Sequence, residues 1–396
     1  MNRLIAASLA CAACTALTAF TAPTAFAQQP AQELRIGAIV TLSGAGASWG
    51  QAMLHAAELA ADDINAKGGL EVAGSRHRVR VIAYDDKYQA GEAVTAANRL
   101  VFEDKVKYLI GPVGSAAALA VAPITEKNKV IMLTLGFTQK ALAADKPFSF
   151  RPNLTTAETS QPQIDWIVKA KGVRKVGALF PNDETGQQIA ADLEKAYAKA
   201  GAQLGAKEFF ERERVDMMPL ITRIMARGVD AIELDGNAPG TAGLIVKQAR
   251  ELGFKGLIIR SGGPATAEIV NVAGTQATEG MLVNTPIDPG NQAVRQYADR
   301  YQAKYGKRMN GFSPAFYDGT HMLLQAIAGA GSTTDTDKVR TALEGITSYR
   351  GILGELGWTG KAVYGSNHQV SAPFYVARVQ GGQEVVESRC TLSACQ

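Results

Sequence analysis

Short apolar runs alternate with amphipathic stretches along most of this 396-residue chain. Residues 34–40 are mainly aliphatic and predict a strand, whereas residues 51–65 carry apolar side chains at helical spacing. The segment Lys67-Gly68-Gly69 ends that helix, as glycine commonly does. The same alternation then predicts strands at 79–84, 108–111 and 130–135, and helices at 91–102 and from 115 onward.

A second series of the same kind begins after residues 148–152. It predicts strands at 176–180, 203–209, 231–234, 256–259, 280–284 and 374–379, and helices at 161–170, 186–200, 218–227, 242–252, 292–305, 314–328 and 335–343. Short buried strands that alternate with helices are typical of parallel sheets covered by helices on both faces. We therefore predict an α/β fold with two doubly wound parallel-sheet lobes.

The first 27 residues predict a signal peptide. Arg3 supplies a positive charge, residues 4–20 are uncharged, and Ala25-Phe26-Ala27 provides the small-x-small pattern for cleavage after Ala27. A membrane anchor is one alternative, but the run is shorter than the roughly 20 apolar residues that span a bilayer. A lipoprotein is another, although neither Cys11 nor Cys14 follows a convincing Leu-x-small sequence. The expected location is the periplasm.

Charge and cysteine content narrow the class of protein. Removing Arg3 from the formal charge of +4 leaves +3, without a stripe of Lys and Arg interleaved with aromatics, so nucleic acid is not an expected partner. Only Cys390 and Cys395 remain after the predicted cleavage. In an oxidising compartment such a close pair predicts a disulfide, with two free thiols as the alternative.

Candidate catalytic patterns are weak in this chain. Residues 44–50 approximate a dinucleotide-binding loop, and Asp85 ends the next strand, but the spacing Gly-x-Gly-x-x-x-Gly is one residue off. The histidines, His55, His77, His321 and His368, are scattered without metal-ligand spacing. We therefore predict a binding protein rather than an enzyme, with no cofactor and no metal. An exported nucleotide-dependent enzyme is the rival hypothesis.

The predicted fold indicates where a ligand lies. In doubly wound sheets the crevice is beyond the carboxyl ends of the strands, at the loops that lead into helices. Backbone N–H groups at a helix start, with Ser or Thr hydroxyls, suit a carboxylate. Helix capping is the alternative role for Ser115 and Asp235. Trp49 stands in a glycine-rich loop, where an indole is expected to cover a ligand.

Motifs spread over nearly the whole chain after residue 27 support a resemblance. They include Arg35-Ile36-Gly37, Leu42-Ser43-Gly44, Trp49-Gly50, Asp63-Ile64-Asn65-Ala66-Lys67-Gly68-Gly69, Tyr84-Asp85-Asp86, Ile110-Gly111-Pro112, Phe150-Arg151, Gly186, Gly280 and Tyr317-Asp318-Gly319. In these motifs the chain resembles the leucine/isoleucine/valine-binding family of periplasmic receptors for ABC importers. The resemblance implies a monomer that closes over its ligand and delivers it to a membrane permease and its ATPase.

The resemblance also implies the type I periplasmic binding fold, in which three crossovers join two lobes. The expected crossovers lie near Arg151, at 284–286 and at 354–358. The N-terminal lobe would comprise 28–151 and 286–353, and the C-terminal lobe 152–285 and 354–380. Residues 381–396 would form a tail that carries the Cys390–Cys395 disulfide.

The resemblance assigns ligand-binding roles to particular positions. In this family a Ser and a Thr hold the ligand carboxylate, which points to Ser115 and Thr138, with a backbone contact at Gly136. An aromatic residue at the position of Trp49 packs over the ligand. The positions of Thr185 and Asn237, often tyrosines in the family, contact it from the other lobe. Trp49 and Phe137 together would suit a flat ligand.

One departure from the family bears on the class of ligand. Amino-acid receptors of this group carry a Glu for the ligand ammonium, and Gly262 stands at that position. An unpaired ammonium in a closed cleft is costly, so an amino-acid ligand needs another acid. Asp235 is the best candidate, with Asp183 and Glu184 as further options. Otherwise the ligand lacks an amino group, as aromatic acids, 2-oxo acids or amides do.

Overall fold

The computed structural model describes residues 32–44 and 46–396. The predicted signal peptide, its cleavage site, Cys11 and Cys14 lie outside the described residues. Within the described part of the chain, no helix is both long and apolar enough to cross a membrane.

The first sheet is formed by the N-terminal series of strands. Its strands are β1 (Gln32–Val40), β2 (Leu70–Val72), β3 (Ser75–Asp85), β4 (Tyr108–Val113), β5 (Ile131–Leu135) and β6 (Ser149–Phe150), in the spatial order β2-β3-β1-β4-β5-β6. Helices α1 (Ala47–Ala66), α2 (Ala90–Asn98) and α3 (Ser115–Lys127) connect them. All neighbouring pairs are parallel except β2 with β3. Ile36 and Ile39 pack into different core clusters, because helices cover both faces.

The second sheet repeats this architecture further along the chain. Its parallel strands are β7 (Lys175–Pro181), β8 (Gln203–Phe210), β9 (Ala231–Glu233), β10 (Leu257–Arg260) and β11 (Leu282–Thr285). The associated helices are α4 (Thr156–Lys171), α5 (Glu184–Lys199), α6 (Met218–Met225), α7 (Pro239–Glu251), α8 (Thr266–Ala273) and α9 (Thr275–Thr278). The predicted α/β fold class, with two parallel-rich sheets, is confirmed.

The C-terminal third returns to both sheets. It contains α10 (Gln292–Tyr305), α11 (Phe312–Ala330), α12 (Thr336–Glu344), β12 (Tyr349–Gly351), β13 (Gly354–Thr359), α13 (Lys361–Tyr364), β14 (Gln369–Ser371), β15 (Phe374–Gln380) and β16 (Gln383–Cys390). Helices α10 and α11 lie against α1, where Arg300 and Tyr317 both donate to Asp63. Strands β12, β13 and β14 form a small antiparallel sheet, and β15 and β16 extend the second sheet beyond β11.

The chain passes between the two large sheets at three places. It leaves the first sheet after Phe150, leaves the second after Thr285, and enters the second again at Phe374. Residues 354–358, where the third crossover was expected, belong to β13 of the small sheet. The residue boundaries of the two lobes stay a prediction.

Some elements differ from those that periodicity predicts. Helix α4 begins at Thr156 rather than at 161, because Thr155 and Glu158 form a capping box. The residues expected to form only a C-terminal tail include β16, which pairs with β15. A disulfide joins Cys390 at the end of β16 to Cys395.

Candidate functional site

A cavity lies between the loops at the carboxyl ends of the two large sheets. We call it the central cavity. Its lining combines residues of both sheets' loops with the start of α11: Trp49, Tyr88, Val113, Gly114, Leu135, Phe137, Thr185, Ile189, Asp235, Gly236, Arg260, Gly263 and Phe312. A mostly apolar cavity with a few buried polar groups is typical of a small-molecule site.

Aromatic side chains form the apolar part of the central cavity. Trp49 lies in the first turn of α1, and its Nε1 donates to the carbonyl oxygen of Pro264 at 3.1 Å, across the cleft. The Phe312 ring meets the rings of Trp49 and Phe137 edge-on, with centroids 6.3 and 6.4 Å apart. These three rings provide a dry surface for an apolar or flat part of a ligand.

The loop that carries Phe137 is held from behind by Arg151. This guanidinium is fully buried, and its Nη1 donates to the carbonyl oxygens of Gly136 at 2.8 Å and Thr138 at 3.3 Å. Its Nε donates to Gln369 at 2.6 Å. Arg151 therefore sets the position of the Gly136–Thr138 loop from the point where the chain leaves the first sheet.

Ser115, Thr138 and Thr185 form a continuous polar chain beside the cavity. The Ser115 backbone N–H, at the start of α3, donates to Thr185 Oγ1 at 3.1 Å. The Thr138 N–H donates to Ser115 Oγ at 3.0 Å. Because Thr185 starts α5 of the second sheet, this chain joins the two sides of the cleft. Because Ser115 Oγ is the acceptor in the second bond, its hydroxyl hydrogen remains as a donor for a ligand carboxylate.

The second side of the cavity presents a buried acid. Asp235 follows β9, is 1% exposed, and its Oδ2 has no hydrogen-bond partner among the described residues. Burial raises its pKa, and the charge of Arg260 partly offsets that effect. A Cβ at Gly262 would overlap the Asp235 carboxyl group. The missing side chain at 262 thus leaves the space in which the Asp235 carboxyl lies.

Arg260 is a cavity residue that the sequence analysis missed. It ends β10, is 1% exposed, and donates from Nε to Gly263 O at 2.6 Å and from Nη2 to Asn237 O at 2.9 Å. Burial lowers its pKa. It forms no salt bridge with a carboxylate of the described residues, but the charges of Asp235 and Glu233 act on it and oppose the effect of burial. The sequence could have indicated this residue, because Arg260 is a charged residue at the carboxyl end of an otherwise apolar strand.

Glu233 supports the loops that carry Asp235 and Gly262. Its Oε1 accepts the backbone N–H groups of Asp235 and Ser261, each at 3.0 Å. Its Oε2 accepts the hydroxyls of Ser261 and, at 3.1 Å, Tyr197. Burial, reinforced by the charge of Asp235, raises the pKa of Glu233 to about 7. This carboxyl group positions the second wall without lining the cavity.

The two alternative acids are already paired. Arg212 donates to Asp183 at 2.5 Å, and its guanidinium stacks on the Tyr88 ring with 4.7 Å to the centroid. Glu184 accepts from Lys140 at 2.9 Å. Asp235 is therefore the candidate acid whose carboxylate oxygen stays free to receive a ligand ammonium. Tyr88 lines the cavity and was also missed from the sequence.

The structure sorts the predicted ligand residues into two groups. Trp49, Phe137, Thr185 and Asp235 line the central cavity, whereas Ser115, Gly136, Thr138, Asn237 and Gly262 lie beside it. The Asn237 side chain donates to the carbonyl oxygens of Leu179 and Leu234, so it braces the loop. Phe312 was missed because it comes from a distant helix start.

Asp85, the acid on which the dinucleotide hypothesis depends, is bound by residues at the start of the glycine-rich loop. Asp85 accepts the N–H of Leu42 at 2.9 Å and the hydroxyl of Ser43 at 2.6 Å, so it holds this loop. Residues 46–50 also match the Gly-x-Ser-x-Gly pattern of serine hydrolases, a match that sequence analysis missed. Ser48 Oγ makes no hydrogen bond to any described residue.

Comparisons with known proteins agree with this architecture. Residues 33–384 match the family model described as periplasmic binding protein. The chain is 26% identical over 338 residues to the Leu/Ile/Val-binding protein of Escherichia coli strain K12. The aligned region covers 84% of this chain and 88% of that protein. The structure is similar to that of a leucine-binding protein from Thermotoga maritima, with a TM-score of 0.80, 25% identity, and coverage of 90% and 99% of the two chains.

A third similarity concerns the fold alone. A solute-binding protein of an ABC transporter from R. palustris, solved in complex with benzoate, matches with a TM-score of 0.78 at 17% identity, over 92% of this chain and 97% of that chain. Together these similarities confirm the predicted type I periplasmic binding fold and the resemblance drawn from the sequence motifs.

Proposed function

The chain belongs to the periplasmic binding protein family, and we propose that it is the solute receptor of an ABC importer that binds an amino acid. The predicted signal peptide supports export to the periplasm. The similar proteins that bind leucine, isoleucine or valine support delivery of the ligand to a membrane permease and its ATPase. The receptor would close over its ligand by a hinge and perform no chemistry.

The observation that favours an amino acid over other ligands is the free carboxylate oxygen of Asp235. A buried Oδ2 without a partner is costly to the protein alone, and a ligand ammonium would relieve that cost with a charge-assisted hydrogen bond. Gly262 makes room for this acid, which takes over the role of the family's glutamate. The ligand carboxylate would then lie near Ser115 and Thr138, at the N-terminus of α3.

Contacts across the cleft support a hinge that closes around the ligand. The Trp49 indole, the Ser115 N–H and the Lys140 ammonium each bind a residue on the opposite side. Each contact joins an early loop of the chain to a loop of the second sheet. Opening the cleft would break all three, so these contacts favour the closed form, and a ligand that binds this form more tightly would shift the protein toward it.

A second candidate is a deaminated acid, such as an aromatic acid or a 2-oxo acid. Burial raises the pKa of Asp235, and the nearby charge of Arg260 already acts on this carboxyl without a ligand ammonium. The edge-on cluster of Trp49, Phe137 and Phe312 suits a flat ring. In this case the carboxylate end of the ligand stays near Ser115 and Asp235 is structural.

A thermal-shift panel separates the two candidates. The panel contains leucine, isoleucine, valine, phenylalanine, their 2-oxo acids, and benzoate. A ligand that binds only the folded state raises the melting temperature by mass action. We expect amino acids to raise it and Asp235→Asn to abolish that rise, because the ammonium loses its charged partner.

Two variants control the experiment. Gly262→Ala should weaken amino-acid binding in the same way, because the new Cβ displaces the Asp235 carboxyl. Asp183→Asn changes an acid on the same side that is already paired with Arg212, so it should leave the ligand preference unchanged. An amino-acid shift that survives Asp235→Asn contradicts the proposed site, and turnover of any bound compound contradicts the receptor function.

A further inference from the structure

A second cavity lies beside the central cavity. We call it the hinge cavity, because its lining comes from the segments where the chain passes between the two large sheets. These segments are residues 152–155, Asn284 with Pro286, and residues 370–374. The hinge cavity is therefore part of the region about which the two sides of the cleft would move.

Phe312 and Gly263 separate the two cavities, since both residues line each of them. The Phe312 ring is the larger part of this partition, and it meets Trp49 and Phe137 only edge-on. A rotation of this ring about its side-chain torsions would join the two spaces. Gly263 contributes only backbone on the other side of the junction.

Asn153, which lines the hinge cavity, carries an unsatisfied acceptor. Asn153 is 4% exposed, and its Oδ1 has no partner among the described residues. Its Nδ2 donates to the carbonyl oxygen of Leu154 at 3.1 Å, which fixes the orientation of the amide, because the flipped form would oppose two acceptors. A buried acceptor without a partner is unfavourable, and a donor from a ligand would satisfy it.

Other groups around Asn153 limit the kind of donor. Leu154, Val370, Ala372 and Phe374 give this cavity apolar walls, and no acidic side chain lines it. An ammonium group would be left without a countercharge there. A hydroxyl or amide N–H donates to Asn153 without that penalty.

We propose that the hinge cavity receives the far end of the ligand. The receptor then prefers acids whose extended apolar side chain passes Phe312 and ends in a neutral hydrogen-bond donor. This inference rests on the proposed function, because the carboxylate end of the same molecule must be held in the central cavity. It adds a specificity determinant, Asn153, at the opposite end of the ligand.

Calorimetry with matched probes tests this inference. The probes are straight-chain 2-amino acids of six, seven and eight carbons, each with its ω-hydroxy analogue, and leucine is the short reference. The corresponding 2-oxo acids replace them if the thermal-shift panel selects deaminated ligands. For at least one length, we expect the ω-hydroxy probe to bind about tenfold more tightly than its parent. Asn153→Ala should remove that preference while leaving leucine binding unchanged.

Two further variants test the partition. Phe312→Ala should strengthen binding of the eight-carbon acid and its ω-hydroxy analogue relative to leucine. Gly263→Ala keeps Phe312 and should weaken the longest pair relative to leucine. A Cβ at 263 would meet Arg260 Nη2 at 3.4 Å and Trp49 at 3.7 Å, which are ordinary contacts, so this variant should fold. Asn98→Ala, an exposed Asn whose side chain donates only to Val94, is the matched control.

The outcomes distinguish this inference from the proposed function. If neither leucine nor any other acid of the panel binds, the proposed function fails and the inference fails with it. If short acids bind but no ω-hydroxy probe exceeds its parent, or the preference survives Asn153→Ala, the hinge cavity is not a ligand subsite. The proposed function then stands.

Discussion

The two walls of the central cavity use the same support and present different chemistry. Arg151 holds the first wall and Arg260 the second, each with a fully buried guanidinium that donates to backbone carbonyls of a cleft loop. Buried arginines suit this role, because a planar fork of donors can satisfy several carbonyl oxygens at once.

The surroundings of the two arginines differ. Arg151 lies 3.6 Å from the Glu158 carboxylate and also donates to Gln369 and Tyr364, so its charge is neutralised away from the cavity. Arg260 has no ion-pair partner within the described residues, and it lines the cavity together with Asp235. The first wall therefore offers neutral donors to a ligand, and the second offers charge. The same support can thus be purely structural or part of recognition.

The largest expected effect is the loss of stability when Arg151 is replaced. Arg151→Met should lower the free energy of unfolding by about 3–5 kcal/mol, because it removes the buried charge beside the partly buried Glu158 carboxylate and leaves the Gly136 carbonyl without its donor. Urea unfolding followed by circular dichroism measures the change. Arg223→Met, which removes an exposed pair with Glu208, is the control and should leave the midpoint unchanged. A stable Arg151→Met protein would mean that the walls do not depend on this support.

The free energy of unfolding should depend on pH through Glu233, which holds the loops of the second wall. The pKa of Glu233 is about 7 in the folded protein, above its ordinary value of 4.5. A raised folded-state pKa gives stability that is complete below pH 4.5 and is lost as the pH rises through 7. At about 1.4 kcal/mol per unit, the loss is on the order of 3 kcal/mol.

Glu233→Gln tests this linkage. Glutamine keeps a carbonyl oxygen for the N–H groups of Asp235 and Ser261 and does not titrate. We expect this variant to lose less stability than the wild type between pH 4.5 and 8 in urea unfolding. Asp318, also buried with a pKa of about 7, and the other buried groups with shifted pKa values remain in both proteins and contribute the residual slope. Identical slopes would show that Glu233 is ionised throughout.

The smallest effect is expected at the first wall, which offers neutral donors to a ligand. Ser115→Ala should weaken ligand binding about tenfold, because a hydrogen bond to a charged group contributes about 1.5–3 kcal/mol. The Ser115 backbone N–H still donates to Thr185, but the Thr138 N–H loses the Ser115 Oγ acceptor, so urea unfolding of this variant is the control for lost stability. Calorimetry on this variant and on Asp235→Asn compares the two walls directly. If Ser115→Ala binds the ligand with unchanged affinity, the Ser115 hydroxyl does not contact the ligand.

Most of the fold could be predicted because each element carries its own periodic signal. Apolar runs located β1 and β7, and helical spacing located α1 and α10. Strand β16 was missed because it alternates polar and apolar residues only partly and pairs at a sheet edge with β15. Helix starts were misplaced where capping by Thr155 and Glu158, rather than periodicity, determines the first turn.

The candidate site was predictable only in part. Strand ends and glycine-rich loops indicated Trp49, Phe137, Thr185 and Asp235, because any doubly wound sheet brings such loops to one edge. The partners of the acids could not be predicted, since the pairing of Asp183 with Arg212 depends on how two loops of the second sheet approach each other.

By itself, the sequence determined the fold class, the family resemblance and the loops that surround a ligand, because these follow from local pattern and chain order. Only the tertiary structure decided that Asp235 keeps a free carboxylate oxygen in the space left by Gly262. It also brought Phe312 and Arg260 to the same cavity and placed Asn153 in the adjoining one. Burial and unsatisfied hydrogen bonds are properties of packing between distant segments, and no local pattern encodes them.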